Sequence, residues 1–272
     1  MKPVTDLILV TGGRRTGTTL LTAVLTSDSS TNQLGPEAQI VTRLIEAYRW
    51  GRRNYDDFVA GLVGELTTYT AFYADAAQRL VLTIRSQLGN VATLVLKNPE
   101  FARILADVAI LIPDARVVVT VRDPRDQVAS EIEVGMRRKA AGGAAPLAER
   151  RDVDRMTAFY VDYYTDVLEV AAARPDDVHF VRYEDLVLDT ATTVARLRRF
   201  TGLSLPFDPT APWPRVSDHL AEAAGSPSFS DLYGGPVSDR SIGRHLRDLS
   251  ASEARRVAAR SADFSDRFGY AQ

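Results

Sequence analysis

The sequence predicts an α/β protein in which a central parallel sheet is flanked by helices. Four short apolar runs lack polar alternation, which is typical of strands that are buried on both faces of a parallel sheet; they span residues 7–11, 93–96, 117–121 and 178–181. Stripes of apolar residues at helical spacing follow, over residues 40–48, 101–108 and 257–268. This alternation of strands and helices predicts a layered sheet with helical crossovers.

The first strand runs into a glycine loop. Gly12 and Gly17 enclose four residues, and this spacing fits a phosphate loop at the start of a helix, so we expect a P-loop-type three-layer fold. Thr18 stands where proteins that cleave ATP or GTP carry a lysine, while Arg14 and Arg15 lie within the loop. The loop therefore favours an anionic nucleotide without triphosphate chemistry, although a loop of this kind taken alone could be a structural turn.

Composition excludes several classes of protein. The 33 basic and 35 acidic residues give a net charge of −2, so we expect no general binding to nucleic acid or to a membrane surface. The absence of cysteine excludes disulfides and thiolate metal sites. No stretch approaches the roughly 20 apolar residues of a membrane span, and the N-terminal apolar run is too short for a secretory signal. We expect a soluble, cytoplasmic protein with a single domain over residues 1–272, and the sequence does not indicate its oligomeric state.

Basic side chains stand at the ends of the second and third strands. Lys97 ends one and Arg122 closes the other, and ligands of open parallel sheets bind beyond these carboxyl ends. Ser130 lies two turns into a helix that Pro124 can begin. A planar guanidinium and a hydroxyl are suited to phosphate oxygens. Taken alone, Lys97 could be a solvated charge and Arg122 could pair with Asp123, but beside the glycine loop we favour phosphate binding.

These segments, in this order, resemble the motifs of the sulfotransferases that use 3′-phosphoadenosine 5′-phosphosulfate. The resemblance runs from about Leu7 to Arg244 and rests on residues 15–19, 97–99, 121–130, 182–187 and 239–244. It implies transfer of a sulfuryl group from that donor to a hydroxyl. No metal is expected, because fixed cations neutralise the charge.

The resemblance also implies a role for each motif. Arg15 and Lys97 would neutralise the leaving oxygen, to which Ser241 would add a hydrogen bond. Arg122 and Ser130 would bind the 3′-phosphate. The residues expected to bind the donor are Arg14, Arg15, Thr16, Gly17, Thr18, Thr19, Arg122, Ser130, Tyr183, Arg240 and Ser241. Tyr183 could alternatively serve in packing.

The catalytic base indicates a branch of that family. Many members use a histidine, but none of the three histidines lies in the first third of the chain. The segment around Glu37 instead resembles the glycine-x-glutamate segment of the tyrosylprotein sulfotransferases and related bacterial enzymes, in which the glutamate is the base. Arg43 falls where that group has an arginine that contacts the acceptor, whereas Gln39 replaces another. We expect Pro36 and Glu37 to open a helix, and Glu37 could also merely complement the helix dipole.

The acceptor is the least specified part of this prediction. We expect a small molecule with a hydroxyl rather than a protein. Two irregular stretches, residues 137–149 and 205–236, are either surface loops or lids on the acceptor side. The aromatic run within residues 50–73 belongs either to the core or to the pocket, and in the pocket it would favour a phenolic or natural-product acceptor. The alternatives are a P-loop small-molecule kinase and a catalytically silent nucleotide-binding protein.

Overall fold

A four-stranded parallel sheet forms the centre of the molecule. The computed structural model describes residues 6–216 and 232–270. The strands are β1 (Leu7–Gly12), β2 (Leu94–Lys97), β3 (Arg116–Val121) and β4 (Val178–Arg182), in the spatial order β2-β1-β3-β4. Each predicted strand is confirmed to within one residue at either end. Because all pairings are parallel, the four carboxyl ends meet at one edge of the sheet.

Helices connect the strands and cover the sheet on both faces. They are α1 (Thr18–Leu25), α2 (Gln39–Arg53), α3 (Ala60–Val63), α4 (Leu66–Gln87), α5 (Leu105–Leu111), α6 (Pro124–Ala140), α7 (Pro146–Arg150), α8 (Val153–Asp162), α9 (Thr165–Ala173), α10 (Tyr183–Leu188), α11 (Thr190–Thr201), α12 (His245–Asp248), α13 (Ala251–Arg260) and α14 (Ala262–Phe268). A π-helical turn spans Tyr55–Val59, and 3-10 helices span Pro99–Ile104 and Asp239–Ser241.

Alternate residues of β1 enter two separate hydrophobic clusters. Leu7 and Leu9 pack with α2, α4, α5, α9 and α14 on one face, whereas Ile8 and Val10 pack with α1, α10 and α11 on the other. All four side chains are fully buried. Burial on both faces explains why the strand has no polar alternation, and it confirms the predicted three-layer α/β architecture.

The helical stripes are confirmed with two differences. The helix expected to open at Pro36 and Glu37 begins at Gln39, because the backbone at Ala38 is not helical (φ −75°, ψ 54°) where its N–H donates to the carbonyl of Lys97 at the end of β2. The C-terminal stripe forms two helices, α13 and α14, which are separated at Ser261.

The stretch 137–149 is not the irregular loop that the sequence predicts. Helix α6 continues to Ala140 and α7 begins at Pro146, so only residues 141–145 are loop. Proline supports the helix start because its fixed φ suits the first helical position. Within the other stretch, residues 205–216 and 232–236 contain no helix, and Val216 forms an isolated bridge with Leu34. Residues 217–231 of that stretch lie outside the described residues.

Two further features concern residues 6–216 and 232–270 alone. No helix there combines the length and the apolar character that crossing a membrane requires. Nor does that part of the chain hold three or more acidic or histidine side chains grouped so that they could bind a metal ion.

Candidate functional site

A cleft at the carboxyl edge of the sheet brings together eight of the predicted site residues. These are Arg15, Gly17, Thr18, Thr19, Arg122, Ser130, Tyr183 and Ser241. The remaining lining comes from residues that sequence reasoning did not identify, namely Leu20, Trp213, Leu232, Tyr233, Pro236, Val237, Ser238 and Arg244. We call this the nucleotide cleft, after the ligand that the sequence predicts for it.

The glycine loop has a backbone that only glycine adopts easily. Gly17 has φ 90°, and a Cβ placed there would lie 2.5 Å from Cδ2 of Tyr183. Gly17 is also the N-cap of α1 and has no side chain to accept the N–H groups of the first turn. Those N–H groups, together with the helix dipole, favour an anion at this end of the cleft. Thr16 is fully buried, and its hydroxyl donates to the carbonyl of Gly13 at 2.6 Å, so its side chain braces the loop.

Arg15 lines the cleft, and its backbone lies in the left-handed region, with φ 65°. Its Nε donates to the hydroxyl of Ser130 at 3.3 Å. Burial lowers the pKa of Arg15 to about 10, which still leaves the guanidinium charged at neutral pH. A buried cation of this kind is stabilised by a bound anion.

Arg122 is buried against the glycine loop. Its Nη1 donates to the carbonyl of Arg15 at 2.9 Å, its Nη2 donates to the carbonyl of Ser241, and its Cζ lies 4.6 Å from the ring centre of Tyr183. Within the described ranges Arg122 forms no salt bridge with a carboxylate. Its charge is therefore compensated within that part of the protein only by the more distant carboxylate of Glu184, which fits an anionic ligand.

Lys97 and Glu37 form an ion pair beside the cleft. The Nζ of Lys97 lies 3.3 Å from Oε1 of Glu37 and 3.3 Å from Oγ1 of Thr19. The lysine side chain is 5% exposed and the glutamate side chain 48% exposed. Burial lowers the pKa of Lys97, although the carboxylate of Glu37 opposes this effect. Thr19 lines the cleft, so the pair lies at its border.

Two buried tyrosines support both of the segments that the sequence predicts to bind phosphate, and sequence reasoning missed these tyrosines. The hydroxyl of Tyr160 accepts the Arg122 N–H at 3.1 Å and donates to the Arg122 carbonyl at 2.7 Å. The hydroxyl of Tyr164 accepts the Gly13 N–H at 2.9 Å and donates to the carbonyl of Thr120 at 2.8 Å. Their spacing of four residues, which places two side chains on one side of a helical stretch, was the available signal.

Four other predicted residues do not line the cleft. Arg14 pairs with Glu100 at 2.7 Å, and the exposed Arg43 pairs with Glu46 at 2.6 Å. Arg240 has an exposed side chain, and its N–H donates to Ser238 at 3.3 Å. Thr16 is buried within the loop, as described above.

A second cavity lies on the other side of the glycine loop. The two cavities share a wall, because Arg14 lines the second cavity whereas Arg15 lines the nucleotide cleft, and Gln127 of α6 donates to the carbonyl of Arg14 at 3.0 Å. The second cavity is lined by Arg14, Arg103, Gln127, Glu131, Gly135, Arg138, Ala144, Ala145, Pro146, Leu147, Ala148, Met156, Phe159, Tyr160 and Tyr163. Its far side, formed by α7 and α8, is largely apolar.

Comparison with known proteins gives a consistent result. The sequence matches the profile described as "Sulfotransferase family" over residues 7–209. The fold is similar to the sulfotransferase domain from the curacin biosynthetic pathway, with a TM-score of 0.62 and 17% identity over 96% of this chain and 99% of that one. It is also similar to the sulfotransferase domain of the Synechococcus PCC 7002 olefin synthase, with a TM-score of 0.56 and 17% identity over 99% of this chain and 96% of that one. A mouse sulfotransferase complexed with PAP has a TM-score of 0.52 and 12% identity, over 96% of this chain and 85% of that one. Among curated protein sequences, none matches this one.

Proposed function

The chain belongs to the sulfotransferase family, and from that premise we propose that it transfers a sulfuryl group from 3′-phosphoadenosine 5′-phosphosulfate to the hydroxyl of a small molecule. One observation carries the proposal. Three cationic side chains, the buried Lys97 and Arg122 and the half-buried Arg15, converge on a glycine loop that has threonine where a triphosphate-cleaving loop has lysine. The mouse enzyme with the same fold was crystallised with PAP, the bisphosphate product of such a donor.

The residues of the nucleotide cleft divide between the two ends of the donor. The N–H groups at the start of α1 would hold the 5′-phosphosulfate. Arg122 and Ser130 would hold the 3′-phosphate, and the ring of Tyr183 offers a stacking surface beside them. Arg14 and Arg240, which the sequence also predicts to bind the donor, have side chains that do not line the cleft, and Arg43, predicted to contact the acceptor, lines neither this cleft nor the second cavity.

Transfer would proceed in line, with an S–O bond to the donor phosphate breaking as one to the acceptor oxygen forms. By analogy with phosphoryl transfer, the transition state is loose, so positioning and electrostatics dominate. Lys97 and Arg15 would stabilise the charge on the leaving oxygen, and Ser241 would add a hydrogen bond. Glu37 would accept the proton of the acceptor hydroxyl late in the reaction, when that oxygen has become acidic.

The second cavity would hold the apolar body of the acceptor, and its hydroxyl would have to extend past Arg14 and Arg15 to reach Glu37, because neither Glu37 nor Lys97 lines that cavity. It shares its wall with the nucleotide cleft through the glycine loop and α6, and it carries apolar side chains such as Leu147, Met156 and Phe159. An apolar body, for example a phenol ring, is the ligand that such a lining favours.

Binding of adenosine 3′,5′-bisphosphate tests the donor assignment. Arg122→Ala should raise its Kd by about 10- to 100-fold, the range expected for the loss of hydrogen bonds to a charged group. Adenosine 5′-monophosphate lacks the 3′-phosphate, so its Kd should change little in the same variant. Isothermal titration calorimetry measures both ligands on both proteins.

The same titrations separate the donor assignment from its alternatives. An equal effect of Arg122→Ala on both nucleotides would refute the 3′-phosphate assignment. If the wild-type protein is stabilised thermally by ATP–Mg²⁺ and not by the bisphosphate, the chain is a kinase-like protein instead. Binding of the bisphosphate without single-turnover transfer of labelled sulfate to a library of hydroxyl compounds would identify a silent nucleotide-binding protein.

A bulky side chain in the second cavity tests the acceptor assignment. Ala144 is exposed and lines that cavity, so Ala144→Phe should narrow it without disturbing the core. We expect the KM for a phenolic acceptor to rise by about tenfold or more, while the Kd of the bisphosphate stays unchanged. The matched control is Ala141→Phe, at an exposed position that does not line the cavity. Equal acceptor KM values in the two variants would refute this location.

A further inference from the structure

Asp126 holds a segment of the nucleotide cleft that lies more than a hundred residues away in sequence. Its side chain lies in the first turn of α6 and is almost fully buried. Oδ2 accepts the Gly243 N–H at 2.7 Å, and Oδ1 accepts the His245 N–H at 3.0 Å. Oδ1 also lies 2.6 Å from Nδ1 of the His245 ring. One carboxylate therefore engages three groups of a single short segment.

The segment held in this way, residues 241–245, contributes directly to the cleft. Ser241 and Arg244 line it, and the carbonyl of Ser241 accepts a hydrogen bond from Arg122. Gly243 has φ 69°, in the left-handed region that glycine adopts most easily, and this turn directs its N–H to the carboxylate. Arg122 and Asp126 thus fix the segment at two points, and both residues lie at the β3–α6 connection.

Chemistry explains why a carboxylate occupies position 126. The backbone N–H groups of Gly243 and His245 need acceptors, and an ionised carboxylate accepts hydrogen bonds at both oxygens. A negative charge in the first turn of α6 is also stabilised by the helix dipole. An amide of the same shape would present one NH2 group to N–H donors, so it could not replace both acceptors.

We propose that Asp126 is a positioning residue that keeps Ser241 and Arg244 in place for the sulfuryl donor and so sets the affinity of the cleft for the nucleotide. This inference rests on the proposed function, since it assigns the nucleotide as the ligand of the cleft. Asp126 itself does not line the cleft, so it acts through the segment. Its removal should therefore weaken donor binding more than it slows transfer at saturating donor.

The test compares Asp126→Asn with a matched control. We expect the Kd of adenosine 3′,5′-bisphosphate and the KM of the donor to rise by about 10- to 100-fold, and kcat, to which Ser241 contributes one hydrogen bond at the leaving oxygen, to fall by a smaller factor. Asp28 is the control, because it is equally buried and accepts hydrogen bonds from the N–H and hydroxyl groups of Ser30 and Ser204. Asp28→Asn should lower the melting temperature without this increase in Kd.

Amide hydrogen exchange provides a readout that needs no nucleotide. In Asp126→Asn the N–H groups of Gly243 and His245 should exchange at least about tenfold faster, because they lose a buried acceptor, and in Asp28→Asn they should not. Wild-type exchange at these amides together with a wild-type Kd would overturn the proposal. So would an equal increase in Kd in both variants, which would indicate general destabilisation. If the wild-type protein does not bind the bisphosphate, the proposed function fails, whereas slow exchange that depends on Asp126 would still show that the carboxylate holds the segment.

Discussion

Glu37→Gln should lower kcat by about 10²–10⁴-fold, the range typical of a positioned acid–base group. Glutamine keeps the size of the side chain and an oxygen that can accept a hydrogen bond from Lys97, whose Nζ lies 3.3 Å from the carboxylate. The variant therefore removes the ability to take up a proton while disturbing the local structure little. The measurement is steady-state turnover of a phenolic acceptor at saturating donor, together with the Kd of adenosine 3′,5′-bisphosphate, which should stay near the wild-type value.

Glu46→Gln is the matched control for this variant. Glu46 lies on α2, near Glu37 in sequence, but it pairs with Arg43 on the surface of the helix. Its replacement should leave kcat unchanged. Unchanged turnover in Glu37→Gln would remove this residue from the mechanism, and a loss of bisphosphate binding of the same size would assign it to the donor site instead.

Lys97→Met should lower kcat by about 10²–10³-fold, comparable to the loss of one group that stabilises charge in a transition state. The methionine side chain has a similar length but no charge, so the leaving oxygen would lose a cation. Burial in the folded protein disfavours the charged form of Lys97 and therefore lowers its pKa. The same substitution should therefore not lower the melting temperature and is expected to raise it.

The pH dependence of the wild-type enzyme gives a second readout of Lys97. Because its pKa lies below the ordinary value of 10.5, activity that needs the ammonium should decline at a lower pH than that value indicates. The part of this alkaline limb that Lys97 causes should be absent from the residual activity of Lys97→Met, which leaves the titration of Arg15, with a pKa of about 10. Lys139→Met is the control, since Lys139 is exposed and paired with Glu149. Wild-type kcat in Lys97→Met would exclude a role for its charge in the reaction.

The strand ends and the glycine loop could be predicted from sequence because their signals are local. Continuous apolar runs mark strands that are buried on both faces, and each of the basic residues Lys97 and Arg122 stands at the end of such a run. Parallel strands end at the same edge of a sheet, so the meeting of these residues near Gly17 follows from the topology alone.

The supports of the site could not be predicted in this way, because they depend on tertiary contacts. The spacing of Tyr160 and Tyr164 places their side chains on one side of a helical stretch, but it does not reveal that their hydroxyls bind Arg122 and Gly13. Similarly, nothing near Asp126 in sequence indicates that its partners are Gly243 and His245.

Local sequence patterns also predicted the wrong boundaries for one helix and one loop. A proline followed by a glutamate is a common helix start, yet the helix after Glu37 begins only at Gln39, because the backbone at Ala38, whose N–H is bound by the carbonyl of Lys97, is not helical. The alanines and glycines after α6 indicate a long loop, but Pro146 starts another helix within it. In the first case a tertiary contact determines where the helix begins. In the second case a proline within the predicted loop starts a helix.

The two tyrosines have a consequence for the catalytic cycle. Tyr160 packs edge-to-face and Tyr164 packs at a tilt against Phe264 of α14, with ring centres 5.2 and 4.9 Å away, and their hydroxyls bind the glycine loop and the β3–α6 connection. The glycine loop and the β3–α6 connection are thus both supported by one cluster of packed aromatic rings. We expect that neither segment moves without the other. We therefore expect the glycine loop and the β3–α6 connection to keep their relative position when a nucleotide enters or leaves the cleft.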